Sequence, residues 1–257
     1  MIMKRLVAVL ALLLCFWFAG HAQELRFGFQ ASPTFTWLDS DDKFINSSGS
    51  NLGLKLGIRG EYFFAEKYAF FAGLGFGFNQ GGTLLHDVGG IFWPDSDLSD
   101  EDLRDLSRAE DVKLKYSIRY VEVPFGLKLV TNEILRDFRF FFEVPITLGV
   151  RGPARGDILG TGAAMLNSED EDIKKDVNVF NASWGLGLGA EYNIRGSSKG
   201  DTNLLLGISY NQGFLDVTND KGAEKIFRDE NDMIFDREDE DSVGTIRGIT
   251  IMVGVMF

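Results

Sequence analysis

Cysteine is almost absent: the one copy, Cys15, lies among the first 22 residues. A chain cut after residue 22 keeps no thiol, which excludes disulfides and cysteine chemistry whatever the compartment. Histidine is nearly as scarce, and only His86 lies beyond residue 22. One histidine without cysteine cannot build a zinc site. His86 has no nucleophile motif around it, so a serine–histidine hydrolase is poorly supplied as well. No run of about 18 apolar residues follows residue 22, so no later transmembrane helix is expected. Basic residues are in deficit, 26 against 38 acidic, for a formal charge of −12. That balance argues against nucleic acid as a partner and against a polybasic membrane-surface protein.

What the first residues do have is an export address. Lys4 and Arg5 precede an unbroken apolar run from Leu6 to Phe18, and Gly20-His21-Ala22 supplies small residues at the two positions a signal peptidase reads. A signal peptide over 1–22 and one mature domain over 23–257 are expected. The alternative, an uncleaved anchor, is disfavoured because the run is short of the ~20 residues a spanning helix needs. Leu14 before Cys15 argues against a lipid anchor.

The remainder is rich in Gly (30) and Phe (23), and it alternates with period two. Leu25, Phe27, Phe29 and Ala31 alternate with Arg26, Gly28 and Gln30. Leu52, Leu54, Leu56, Ile58, Tyr62 and Phe64 alternate with polar or small residues, and Phe70 to Phe78 follow the same rule. The pattern recurs from Val121 to Leu129, Phe140 to Val150, Trp184 to Ile194, Leu204 to Tyr210 and Ile249 to Phe257. Eight such segments of about ten residues are the length of tilted membrane strands. One face is large and apolar with Trp or Tyr near the strand ends; the other is mostly Gly, Ser, Asn and Thr. This predicts an all-β fold, a transmembrane antiparallel up-and-down barrel of about eight strands. The soluble alternative is a sandwich or lipocalin-like barrel, with the apolar face turned inward. Gly-x-Gly runs such as Gly73 to Gly77 and Gly185 to Gly189 lie within strands, not at a strand-to-helix turn, and are not nucleotide loops.

Connections near 65–68, 131–138 and 195–201 are short; those near 38–50, 80–111, 152–177 and 215–243 are long, as periplasmic turns and extracellular loops differ. Ser99 with Leu103 and Leu106 suggests a helical turn in the second long loop. The four long loops hold 29 acidic and 10 basic residues, which places the negative charge on one side. Solvation is the plain reading of such loops. Divalent cations bridging to lipopolysaccharide are the sharper one, with Asp229, Glu230 and Asp232 or the acids of 238–241 as hard ligands, but neither run has EF-hand spacing and no metal site or cofactor is assigned.

The face opposite the apolar one carries Lys55, Arg59, Glu61, Glu122, Lys128, Arg139, Glu143, Arg151 and Glu191. In a narrow barrel these must pair, which predicts a structural plug of ion pairs; a gated ion or proton path is the alternative. Tyr116, Ile118 and Tyr120 read as out of phase with Val121 onward, which implies a bulge or a strand that outruns the membrane. Phe257, in phase with the apolar face, is expected to act as the signal read by the outer-membrane assembly machinery.

The segment Tyr120-Val121-Glu122-Val123-Pro124-Phe125-Gly126-Leu127-Lys128, followed by Thr131-Asn132-Glu133-Ile134, resembles the mid-chain hairpin of PorT-like outer-membrane β-barrel proteins of Bacteroidetes. Glu143-Val144-Pro145 echoes it on the next strand, and both prolines read as kinks. The resemblance implies a Gram-negative outer-membrane barrel and, for the founding member, a part in type IX protein secretion. The expected function is non-enzymatic: an envelope or surface-contact barrel whose partners are outer-membrane lipid, lipopolysaccharide and the assembly machinery. Secretion component, narrow channel and lipid-modifying enzyme using His86 are the alternatives.

Overall fold

The computed structural model describes residues 24–96, 98, 99, 107, 108, 110–134, 137–160, 168–194, 202–229, 231 and 233–257. The signal peptide read at 1–22 and the helical turn read near Ser99 to Leu106 lie, wholly or in large part, outside the described residues.

Twelve strands follow in order: β1 (Glu24–Ser40), β2 (Ile45–Ala65), β3 (Tyr68–His86), β4 (Gly89–Ile91), β5 (Val112–Val130), β6 (Phe138–Leu159), β7 (Ser168–Asp172), β8 (Phe180–Ile194), β9 (Thr202–Gly213), β10 (Glu224–Arg228), β11 (Ile234–Asp239) and β12 (Gly244–Met256). β1 pairs with β2 and β12, β2 with β3, β3 with β5, β5 with β6, β6 with β8, β8 with β9 and β9 with β12. Eight long antiparallel strands therefore pair in a ring. β7 extends the sheet along the upper part of β6, and β4, β10 and β11 form a small separate sheet. No helix among the described residues is long and apolar enough to cross a membrane, which says nothing about crossing by strands.

The period-two pattern sets which side chains face out. Phe27, Phe29, Leu54, Ile58, Phe70, Phe76, Val123, Leu127, Phe140, Leu148, Leu188, Leu206 and Val253 are all exposed, forming an apolar belt. Aromatic pairs mark its two margins: Trp37 with Tyr210 at one, and Phe64 with Tyr68 and Phe138 with Tyr192 at the other. Such a belt has no place against water but matches a hydrocarbon layer.

Beyond the belt the strands do not stop. Strand runs well into the stretches 38–50, 80–111 and 152–177 expected as loops: β1 and β2 turn within 41–44, β3 runs to His86 and β6 to Leu159. The reason is visible in β5. Val112, Leu114, Tyr116, Ile118, Tyr120 and Glu122 are all buried, one unbroken inward face, while Lys113, Lys115, Ser117 and Arg119 point out. Tyr116, Ile118 and Tyr120 are thus in phase with Glu122. What reverses is the hydropathy of the two faces, since past the belt the outer face meets water and the inner one becomes a core. The phase shifts lie on the neighbouring strands instead. β3 bulges at Asn79, with φ 54°, and Gly81, with φ 126°, and β6 carries an extra residue near Gly152 and Pro153.

The core above the belt gathers Leu38, Ile45, Leu84, Leu114, Tyr116, Ile118, Ile158, Val217 and Ile246 around Trp93. The Trp93 indole donates to Tyr116 Oη at 3.0 Å and meets that ring edge-on at 5.3 Å. Trp93 itself has φ 58°, a conformation disfavoured for a bulky residue and held here by its packing. Ser96 Oγ donates to the Asp176 carboxyl, which ties the segment after β4 to the 3-10 turn Lys174–Asp176.

Candidate functional site in the ring interior

Below that cap the inner face is polar, and its charges interlock. Arg59 on β2 donates to Glu143 on β6 at 2.6 and 3.4 Å, and its Nε lies 2.9 Å from Glu61. Lys128 on β5 lies 2.7 Å from Glu61 and also pairs with Glu191 on β8. Glu191 in turn meets Arg26 on β1 at 3.4 Å, and Arg26 holds Glu24 at 2.7 Å. Arg26, Arg59 and Lys128 against Glu61, Glu143 and Glu191 make a balanced set, buried almost completely. Burial of this kind is tolerable only because each charge faces a partner. Nearer the cap, Lys55 pairs with Glu122 at 2.9 Å.

Three inward phenylalanines pack against the cations. Arg26 lies 4.6 Å from the centre of the Phe63 ring, Arg59 3.9 Å from Phe71, and Lys128 4.8 Å from Phe141, distances at which a cation gains from the ring quadrupole. Glycines opposite provide the room. A Cβ on Gly187 would come 2.8 Å from Glu143 Cγ, and one on Gly207 would come 3.0 Å from the Phe141 ring.

The two inward prolines sit just beside this network. Pairs between β3 and β5 run from Ala72↔Phe125 to Gly75↔Glu122, stepping over Pro124, and pairs between β6 and β8 run from Glu143↔Gly187 to Ile146↔Trp184, stepping over Pro145. Each proline lacks the N–H that would have made that rung. On its other side each strand stays in register, Pro124↔Thr147 and Gly126↔Pro145. Gly73 and Gly185 face the proline rings, where a Cβ would come within 3.3 and 3.1 Å. Pro33 does the same between β1 and β12, where pairing passes from Gln30↔Gly254 to Thr34↔Thr250. Above the network lies a cavity of about 90 Å³ lined in part by Lys55, Glu122, Glu143, Thr147, Asn211 and Thr250.

Of the nine charges read from the sequence, Arg59, Glu61, Lys128, Glu143 and Glu191 meet in one network and Lys55 with Glu122 in a second pair. Arg139 is drawn instead to Glu133 at 3.3 Å, partly exposed beside the 131–137 turn. Arg151 stands at the upper end opposite Tyr120, donating to the Gly152 carbonyl at 3.3 Å. Arg26 belongs to the network and was not among the nine, although its place between Leu25 and Phe27 carried the same signal. Phe63, Phe71 and Phe141 were hidden because an aromatic on the small-residue face breaks the pattern.

The other candidates do not assemble a reactive centre. His86 is buried against Phe92, with ring centres 4.2 Å apart, and among the described residues neither ring nitrogen has a hydrogen-bond partner. Burial drives its pKa down to about 3, so it is a neutral core residue. Asp229 accepts from the N–H groups of Asn231 and Met233, while Glu230 and Asp232 lie outside the described residues. Among the described residues no three His, Cys, Asp or Glu side chains are placed to hold a metal. Phe257 exchanges backbone hydrogen bonds with Phe27 at 2.7 and 3.1 Å, and its ring is exposed in line with the belt.

A ring of antiparallel strands with an apolar exterior and a polar, charge-filled interior defines an outer-membrane β-barrel type of protein. The family described as "Outer membrane protein beta-barrel domain" matches residues 21–219, and the chain belongs to it. No curated protein matches. Among solved structures, the Neisserial surface protein A is 10% identical with a TM-score of 0.40, covering 92% of this chain and 98% of that one. The outer membrane protein OprG from Pseudomonas aeruginosa is 9% identical with a TM-score of 0.40, covering 90% and 95%. The attachment invasion locus protein Ail of Yersinia pestis is 9% identical with a TM-score of 0.35, covering 91% and 98%. At such scores these likenesses carry no argument about what the chain does.

Proposed function

We propose that this chain is a non-enzymatic outer-membrane barrel with eight membrane strands, whose lumen is closed by its own ion pairs and which serves envelope structure and surface contact rather than transport. The observation that carries this reading is the interlocked set Arg26, Arg59, Lys128, Glu61, Glu143 and Glu191, which joins β1, β2, β5, β6 and β8 across the interior. A small barrel has room for packed side chains and not for an aqueous channel. In this reading the turns near 65–68, 131–138 and 195–201 face the periplasm and the acidic ends of the long strands face outward. Residues 1–22 direct export, and Phe257 is read during insertion.

Heat-modifiability on a detergent gel of the outer-membrane fraction tests the barrel, and planar-bilayer recording tests the closed lumen. Steady ohmic conductance of the wild-type chain would overturn the second. A secretion-associated role is the competing reading, favoured by the PorT-like hairpin around Glu122 and Pro124; co-purification with type IX components would carry it.

A further inference from the structure

Where the belt ends on β5 and β6, the outer face turns basic, although the strand ends and loops on that side are strongly acidic overall. The last outward apolar residues are Val121 and Val150, both exposed. The next outward residue of β5 is Arg119, also exposed, and it makes no hydrogen bond or ion pair with any described residue. Opposite it β6 bulges: Ile118 pairs with Ala154 but Tyr120 with Arg151, so Gly152 and Pro153 together face Arg119. A Cβ on Gly152 would come 4.0 Å from Arg119 Cβ. Arg155 is the next outward residue on β6, opposite Ser117, and Lys115 stands two further along β5. Arg155 and Lys115 have side chains 49% and 39% exposed.

We propose that Arg119, with Arg155 one step further out on β6, forms a binding site for a phosphate group of an outer-leaflet glycolipid of the lipid A class; Lys115 stands too far beyond the belt to share that phosphate. This rests on the membrane reading above. Strands rise ~3.4 Å per residue and tilt about 40° in such barrels, which puts the Arg119 Cα roughly 5 Å beyond the last apolar residue. That is within the headgroup layer, about 5–8 Å deep on each side of the hydrocarbon, and a long arginine side chain can reach up or down through it. A guanidinium offers a planar fork of donors that fits two phosphate oxygens.

The acids at this height are Asp157, which pairs with Lys115 at 2.8 Å, Asp172, which stands opposite Arg155 in the β6–β7 ladder, and Asp170. The Asp170 carbonyl accepts from Arg155 at 3.0 Å, with its carboxylate 3.8 Å from Arg155 Nε. These orient two of the cations and leave Arg119 with all its donors unused. Lys113 continues the same outward face one step further. The phosphate contact is therefore direct, and the acidic loop tips need not supply it through bridging cations.

The full chain, refolded in zwitterionic detergent, would be titrated with diphosphorylated lipid A and with the same glycolipid stripped of phosphate, following the thermal unfolding midpoint. The phosphorylated lipid is expected to raise the midpoint and the stripped lipid to leave it unchanged. Affinity should fall about 10-fold or more in Arg119→Gln/Arg155→Gln but not in Lys43→Gln, which lies at the β1–β2 turn. Equal shifts with both lipids, or an unaltered response in the double variant, would overturn the site. Insertion into phosphatidylcholine vesicles, scored by heat-modifiability without lipid A, separates the two claims. A chain that fails to insert sinks the membrane reading, while one that inserts without discriminating phosphate sinks this proposal alone. The same gel shows that each variant has folded.

Discussion

Replacing Lys128 with Met tests the interior network where it is most enclosed. Lys128 is fully buried and bridges Glu61 and Glu191. Met keeps most of the volume and the contact with Phe141 but removes the charge, so the damage is electrostatic. Glu61 retains Arg59 at 2.9 Å and Glu191 retains Arg26 at 3.4 Å, so neither carboxylate is left wholly alone. Removing one member of a buried ion pair costs about 3–5 kcal/mol, and the surviving partners place the expected loss at the lower end, ~3 kcal/mol. Urea unfolding in detergent micelles, followed by tryptophan fluorescence, measures it. Adding Glu61→Gln and Glu191→Gln to Lys128→Met leaves Arg59 paired with Glu143 and Arg26 with Glu24 and should restore more than half of the loss, since replacing whole buried ionic sets is often close to neutral. A single variant within 1 kcal/mol of wild type, or a triple variant weaker than the single, would refute the view that paired charge holds the interior together.

Gly73→Ala should destabilise by about 1–3 kcal/mol, because its Cβ would stand 2.6 Å from the Ile58 carbonyl oxygen and 3.3 Å from the Pro124 ring; the urea midpoint reads this. His86→Leu should leave stability unchanged or raise it by up to ~1 kcal/mol, since two buried ring nitrogens without partners among the described residues are removed, and a loss above 2 kcal/mol would refute the neutral, unpartnered imidazole. Burial raises the Asp176 carboxyl to about 6. An acid whose pKa rises on folding favours the folded form while protonated, so the cap should be tightest below pH 4 and loosen as pH climbs through 6. Hydrogen exchange of residues 92–96 between pH 4 and 8 checks this after correction for intrinsic rates, and Asp176→Asn should flatten the profile.

Much of the wall is legible in the sequence, because lipid-facing and inward positions alternate and the alternation survives in all eight long strands. Within the belt the parity of Leu52 to Phe64 or Trp184 to Ile194 told outside from inside residue by residue. The upper halves were illegible for a physical reason: at Tyr120 the inner face turns apolar while the outer face turns polar, so a strand that continues without interruption reads as though its pattern had ended. The bulges at Asn79 and Gly152 add a second concealment, since each moves the inward set by one position. Within the network, Arg139 shows the limit of parity alone. It faces the same way as Glu143 and Glu191, but its height on the strand puts it beside Glu133 and the turn. Contacts such as Trp93 with Tyr116 join segments whose pairing no local pattern encodes.

The continuation of the strands past the belt has a practical side for anyone wishing to display a peptide on this protein. Segments that look in sequence like long, permissive loops contain hydrogen-bonded ladder backed by a packed core, and an insertion at 46–50, 80–85 or 153–158 would split paired strands. The reversal at 41–44 and the step at 87–88 between β3 and β4 are short breaks in the ladder, and an added segment could leave the surface there without separating the strands on either side. Among the described residues, the grafting points on this side are thus read from the ladder, a few residues at a time, and not from the charge pattern.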